Sequence, residues 1–418
     1  MSDDSDSRLS EGLVLFSNGD TSYELFQLLG EGPNGERTLY ARPRTPAGIQ
    51  GKVLVKYVAL SDGGAPSERQ QRARSRLEEE VRLARFLNHP NIARVHGLFE
   101  RKNALYVASE CVGGFTLDSL LGIAQMRGRY FSEPFILYVL AEVAAALAYA
   151  HSRTDDAGIP LGIVNRDVNP TRIRLVPRGG VKLTDFGVAL SRLAGRVATS
   201  LPRPKGDVVY SAPELLLGEE VDGRADLFSL GLTMLEFATG RHLFDPGNAK
   251  VTDLEARMTE EEGRRVLKAA VRSMDAGLTS VGEDAIHWAM AFRPSDVDFA
   301  AQGLPEGLQV ILRKLLQRLP SERFASADEL VVALRARMAE LLPYGPPDAV
   351  MEIEQALFDA GNAMDELNFS DDEGGFSPVC WLPRESDAGT PPETCNEDEQ
   401  TTDPAPEFRR VGKAPPTA

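Results

Sequence analysis

The chain has 418 residues, 42% of them hydrophobic and 26% charged, and carries a formal net charge of −16. That length holds one large two-part domain with extensions, and the composition is that of an ordinary soluble globular protein. The acidic excess argues against nucleic acid or an anionic membrane as the main partner.

Residues 1–22 begin with Met1-Ser2-Asp3-Asp4-Ser5-Asp6, which lacks a basic-then-apolar signal pattern, and are expected to form a polar leader. From Tyr23 to Val112, short strand-like runs are broken by Gly and Pro, with one helix inserted at Arg76–Leu87. There Leu77, Val81, Ala84 and Leu87 fall on one face, and His89-Pro90-Asn91 stops the helix. Within this region Gly30-Glu31-Gly32-Pro33-Asn34-Gly35 is a G-x-G-x-x-G. Glycines there let backbone N–H groups approach a phosphate, although a surface turn explains the pattern equally well. Thr38–Ala41 and Val53–Lys56 follow it as strand, loop and strand, with no helix between.

After Gly113-Gly114 the pattern turns helical, at Leu117–Met126 and Phe135–His151. The longest apolar run, Ile136 to Ala150, is interrupted by Glu142 and is shorter than the roughly 20 residues of a membrane span. Gly162–Val188 contains hairpin-like strands and two motifs, Asn165-Arg166-Asp167-Val168-Asn169-Pro170-Thr171-Arg172 and Asp185-Phe186-Gly187. Leu227–Thr239 is apolar almost all round, as for a helix in a domain core. Residues 249–303 form a long helix-rich insert whose apolar points are Leu254, Met258, Val266, Ala269 and Val271. It reads either as extra helix packed on the domain or as a docking surface for another protein.

Leu308–Leu316 and Ala327–Leu342 close the domain. Residues 343–370 then predict an amphipathic helix, with Asp348 as N-cap and a stripe of Val350, Ile353, Leu357, Ala360, Met364 and Leu367. Residues 371–418 predict an acidic, disordered tail, in which Ser377-Pro378, Thr390-Pro391, Thr402 and Arg409-Arg410 are weakly marked. Cys111, Cys380 and Cys395 lack C-x-x-C spacing and the histidines are scattered, which argues against structural zinc and for a reducing cytoplasm.

In this order, the motifs of residues 23–342 resemble the bacterial, eukaryotic-like branch of the Ser/Thr protein kinase family. The resemblance implies an α+β, bilobal protein-kinase fold. Its N-lobe, residues 23–112, would be small and β-rich with one key helix, and its C-lobe, residues 113–342, large and mostly helical. Lys56, after Val53-Leu54-Val55, resembles the lysine that holds nucleotide phosphates. Counting back from His89-Pro90 selects Glu80, over Glu78 and Glu79, as its ion-pair partner. Gly30, Gly32, Gly35, Glu110 and Val112 would join Lys56 in binding ATP. Asp167 resembles the catalytic base, Asp185 the magnesium ligand, and Arg166 the residue that meets a phosphorylated activation loop, where Thr199 and Ser200 are candidates. Ser211-Ala212-Pro213-Glu214 resembles the A-P-E motif with Arg323 as its ion partner, and Asp226 the buried brace of the catalytic loop.

Several positions depart from the family pattern. Asn165 stands for a His, Asn169 for a Lys, Arg172 for the Asn that holds a second magnesium, and Asp207 for a Thr that bonds the catalytic Asp. A guanidinium is always protonated, so Arg172 is expected to repel the metal and to pair with Asp167 or Asp185. Around the adenine, Arg37 (or Thr38), Leu54 and Arg174 stand where the family has Val, Ala and Leu; Leu54 adds volume and Arg174 is a candidate to stack on a base. These departures predict a cytoplasmic pseudokinase with weak or no phosphotransfer that regulates a protein partner. The alternative is an active Ser/Thr kinase using ATP and magnesium through Asp167 and Asp185. The catalytic loop has no arginine-rich tyrosine-kinase variant.

Overall fold

The computed structural model describes residues 12–31, 36–59, 67–101, 104–193, 207–245, 250–275 and 280–366. Gly32, Gly35, Thr199, Ser200 and the marked sites of the tail lie outside them. The described residues divide into two units: one holds residues 12–81 and 95–111, the other residues 82–94 and 112–366.

The first unit is built on one antiparallel sheet. Its strands are β1 Val14–Asn18, β2 Thr21–Glu31, β3 Arg37–Thr45, β4 Gly48–Ile49, β5 Val53–Ala59, β6 Val95–Arg101 and β7 Ala104–Glu110. Their order is β1-β2-β3-β5-β7-β6, with β4 paired to β3. Residues 14–22, expected in a polar leader, are instead part of this sheet. Asn18 pairs with Thr21 across a two-residue turn at Gly19-Asp20, a hairpin signal in the sequence. Phe16, only 1% exposed, stacks on Tyr23 and Phe99 with centroids 4.4 and 4.6 Å apart. Burying an aromatic on this scale stabilises by roughly 1.5–3 kcal/mol, so the segment belongs to the core.

Strand alternation sorts β5 into two faces. Val53, Val55 and Tyr57 join the Phe16 cluster, and Val58 packs on the other face against helix α1, Glu68–Ala84, through Ala73, Leu77 and Val81. Leu54 and Lys56 share the face of Val58. Leu54 lies opposite Ser109 on β7 and Tyr40 on β3. α1 starts eight residues before the expected Arg76 because Ser67 and Gln70 cap it: Gln70 N–H donates to Ser67 Oγ at 3.2 Å, and Ser67 N–H to Gln70 Oε1 at 2.9 Å.

The second unit is helical around a small sheet of β8 Phe115–Thr116, β9 Ile173–Leu175 and β10 Val181–Leu183, ordered β10-β9-β8. α2 Leu117–Met126 follows β8, and α3 Glu133–His151 runs through the interior. By length and composition α3 could cross a membrane, but 72% of its apolar window is buried in the fold, as for a core helix. α4 Pro213–Leu217 and α5 Arg224–Thr239 come next, and α5 is buried along nearly its whole length. The insert supplies α6 Val251–Glu255, α7 Glu260–Asp275, α8 Ser280–Ala291 and α9 Pro294–Ala300. Leu254, Val266 and Ala269 are buried there, while Val271, expected as an apolar contact, is 50% exposed beside Leu267.

α10 Glu306–Leu315, α11 Ala327–Met338 and α12 Pro346–Glu366 complete the unit. Asp348 is in the first turn of α12 rather than at its N-cap: it accepts from Gly345 N–H at 2.8 Å, and Gly345 holds the cap position. α12 buries Ala349, Ile353, Ala356 and Ala360. Its Glu352 accepts from Ser132 N–H and Oγ at 2.7 Å, just before α3, and its Asp359 from Arg129 at 2.8 Å. The β9–β10 turn makes room for it: Gly179 has φ 83, and a Cβ there would lie 2.1 Å from the Pro346 carbonyl oxygen. Gly179→Ala is therefore expected to lift the start of α12. Hydrogen exchange should quicken across residues 346–366 while the first unit is unchanged, at a stability cost of about 1–3 kcal/mol.

Candidate active site

In the first unit, the capped α1 brings Glu80 to the face of β5 that carries Lys56. Lys56 Nζ lies 3.0 and 3.1 Å from the two Glu80 oxygens, with side chains 14% and 6% exposed. Glu78 instead pairs with Arg74 at 2.9 Å. Of the glycine motif, Gly30 is described, at φ 143 and opposite Thr38. Arg37 lies opposite Tyr57, and Glu110 opposite Val53 at the end of β7. Val112 opens the second unit and is half-buried.

In the second unit, the loop between α3 and β9 is organised by one buried carboxylate. Asp226, near the start of α5 and fully buried, accepts from Asn165 N–H at 2.7 Å and Arg166 N–H at 2.8 Å, and meets His151 Nε2 at 2.8 Å. These contacts hold Arg166 in the left-handed region, at φ 65, where a side chain is costly without such support. Asp185 is in the same region at φ 64. Asn165 ties the two loops together, donating to the Asp185 carbonyl at 3.1 Å and accepting from Asp167 N–H at 3.0 Å. The Arg166 guanidinium donates to the Val188 carbonyl at 3.0 Å from Nε.

Asp167 is nearly enclosed. Its Oδ1 accepts from Asn169 Nδ2 at 2.9 Å and from the Asp207 N–H at 3.0 Å, and its Oδ2 accepts from Arg172 Nε at 2.8 Å. Arg172 Nη1 lies 3.5 Å from Asp185 Oδ2, so one guanidinium faces both carboxylates. Burial pushes the Asp167 carboxyl above the usual carboxylate range; the Arg172 charge opposes that rise and Asp185 adds to it. Partial burial disfavours the Arg172 charge, but Asp185 and Asp167 outweigh it and leave its pKa above the ordinary arginine value.

Asp207 meets Asp167 through its backbone N–H; its carboxylate accepts from Val209 N–H at 3.4 Å, at the head of a short 3-10 turn. Burial raises the pKa of the Asp207 carboxylate, and the Arg172 charge also acts on it, against that rise. Arg174, expected as a base-stacking group, donates from Nη2 to the Gly114 carbonyl at 2.9 Å, and its buried Nε has no acceptor among the described residues. Sequence reading also missed that Asn169 locks the loop, accepting from Thr171 N–H at 3.0 Å and Oγ1 at 2.7 Å. The Asn-Pro-Thr order was the available signal, since Asn side chains bond backbone two residues on. Farther along, Arg323 meets Glu214 with two bonds of 2.7 and 2.8 Å in the interior.

A family profile described as "Protein kinase domain" matches residues 23–333, about three-quarters of the chain. The chain belongs to the protein kinase family. Its relatives include the tyrosine-protein kinase MasK of Myxococcus xanthus, 35% identical over 242 residues, which are 57% of this chain and 36% of that protein. The serine/threonine-protein kinases PknJ and PknF of Mycobacterium tuberculosis are each 33% identical, over 54% and 55% of this chain and 35% and 45% of their own lengths. The chain thus spans between about a third and a half of the length of these relatives, whose names cover both classes of hydroxyl acceptor.

A protein kinase domain implies the use of ATP and magnesium. Lys56, oriented by Glu80, suits a phosphate, and ATP when bound supplies the transferable phosphoryl group. Magnesium needs oxygen ligands in near-octahedral array. In this kinase-family chain, Asp185 Oδ1 accepts from Gly187 N–H at 2.8 Å, and Oδ2 faces Arg172. The position five residues after Asp167 offers a cation instead of an oxygen. As arranged, this donor set does not fit magnesium.

Proposed function

We propose that this chain is a protein-kinase-family regulator of the bacterial Ser/Thr type, with weak or no phosphotransfer, that acts by binding a protein partner in the cytoplasm. One observation carries the reading: the Arg172 guanidinium bonds Asp167 and faces Asp185. A general base must accept a proton from its substrate, and Asp167 has three donors on its two oxygens. The helical insert, with Leu267 and Val271 exposed on α7, is the surface assigned to the protein partner.

The test is a phosphotransfer assay with labelled ATP and magnesium. No incorporation above that of the Asp167→Asn chain is expected. Magnesium-dependent autophosphorylation that vanishes in Asp167→Asn would overturn the reading. It would establish the second one, an active Ser/Thr kinase using Asp167 and Asp185, which is favoured by the Lys56–Glu80 and Glu214–Arg323 pairs.

A further inference from the structure

We infer that Arg172 takes the place of the divalent cation, so that this site receives a nucleoside triphosphate free of metal. The inference rests on the reading of Arg172 proposed above, but it concerns what the site binds rather than whether phosphate moves. Three features of the larger unit support it. First, Arg172 sits between the carboxylates that a metal would neutralise, 2.8 Å from Asp167 Oδ2 and 3.5 Å from Asp185 Oδ2. A dication brought to Asp185 meets a fixed positive charge that cannot be shed.

Second, the backbone of Arg172 is held by Thr184. Thr184 N–H and Oγ1 both donate to the Arg172 carbonyl, at 2.8 and 2.9 Å, which ties the backbone of Arg172 to the residue before Asp185. Third, the guanidinium keeps capacity for an anion. It is 38% exposed, and among the described residues its Nη2 makes no hydrogen bond. An arginine edge suits phosphate oxygens in paired hydrogen bonds. A metal-free polyphosphate brings the sign of charge that Arg172 attracts, and a metal complex brings the sign that it repels.

The experiment measures ATP affinity of the full chain by calorimetry and thermal shift, once in EDTA and once in excess magnesium. The parent chain is expected to bind ATP in EDTA at least as tightly as with magnesium. Arg172→Asn is expected to weaken binding in EDTA at least tenfold and to make magnesium favourable. Arg172→Lys keeps the charge and is expected to retain the preference for metal-free ATP, which keeps the test decisive if the Asn variant does not fold. Binding by the parent only with magnesium, no binding of ATP in EDTA, or an unchanged preference in Arg172→Asn each overturns the inference. None of these outcomes touches the functional reading, which falls only to magnesium-dependent autophosphorylation through Asp167.

Discussion

Replacing Arg323 by alanine should destabilise the larger unit by about 3–5 kcal/mol, the usual cost of breaking a buried ion pair from one side. Arg323 and Glu214 are 0% and 3% exposed at their side chains, so no water screens the charge left behind. The guanidinium is also fully used. Besides its two bonds to Glu214, Nε donates to the Gln317 carbonyl at 2.8 Å, Nη1 to Arg224 at 3.0 Å and Nη2 to Arg318 at 3.0 Å. Its plane lies over Phe228, 4.7 Å from the ring centre. Alanine strands one carboxylate and three carbonyls and opens a cavity as well. Urea unfolding followed by circular dichroism measures the loss. The Arg323→Leu, Glu214→Leu double variant should recover part of it, because the stranded charge is gone while the carbonyls stay unpaired. A single variant within about 1 kcal/mol of the parent would mean the pair is not buried as described.

The paired change Arg172→Asn and Leu54→Ala should tighten binding of magnesium–ATP at least tenfold, about 1.4 kcal/mol. The first change replaces a cation with an amide oxygen and takes the guanidinium away from Asp167 and Asp185. The second removes volume from the β5 face shared with Lys56. Leu54 lies opposite Ser109, whose buried hydroxyl has no partner among the described residues, so shortening it opens space beside a small side chain. Loss of Arg172 also removes the charge that lowers the Asp167 pKa, so that carboxyl should titrate still higher. Calorimetry in excess magnesium gives the answer, and unchanged affinity would sink the expectation.

Much of the site was legible because the chemistry there is carried by residue type at fixed spacing. Glu80 could be chosen over Glu78 and Glu79 by counting from a helix stop, and it is the residue that meets Lys56. The family resemblance put Arg172 at this site and its charge pointed to Asp167 or Asp185; it bonds the first and faces the second. What escaped was carried by backbone and by caps. Asp207 reads as a carboxylate in sequence, but its contact with Asp167 uses an N–H that every non-proline residue has. The first two turns of α1, Glu68 to Arg74, are mostly polar and give no periodic signal; only the Ser67–Gln70 exchange marks where they begin. In the same way Asp348 was placed one role off, because the Asp that serves a cap from inside a helix looks the same as one at the cap.

α12 has a practical consequence for anyone dividing this chain into pieces. The family profile ends at residue 333, and a boundary drawn there is natural on the page. Physically it would remove the cover formed by Ala349, Ile353, Ala356 and Ala360 and leave Ser132 and Arg129 without their carboxylate partners. Newly bared apolar surface promotes association between molecules. A fragment ending near residue 333 is therefore expected to associate more readily in solution than one that runs through residue 366. Fragments meant for biochemistry should run through residue 366.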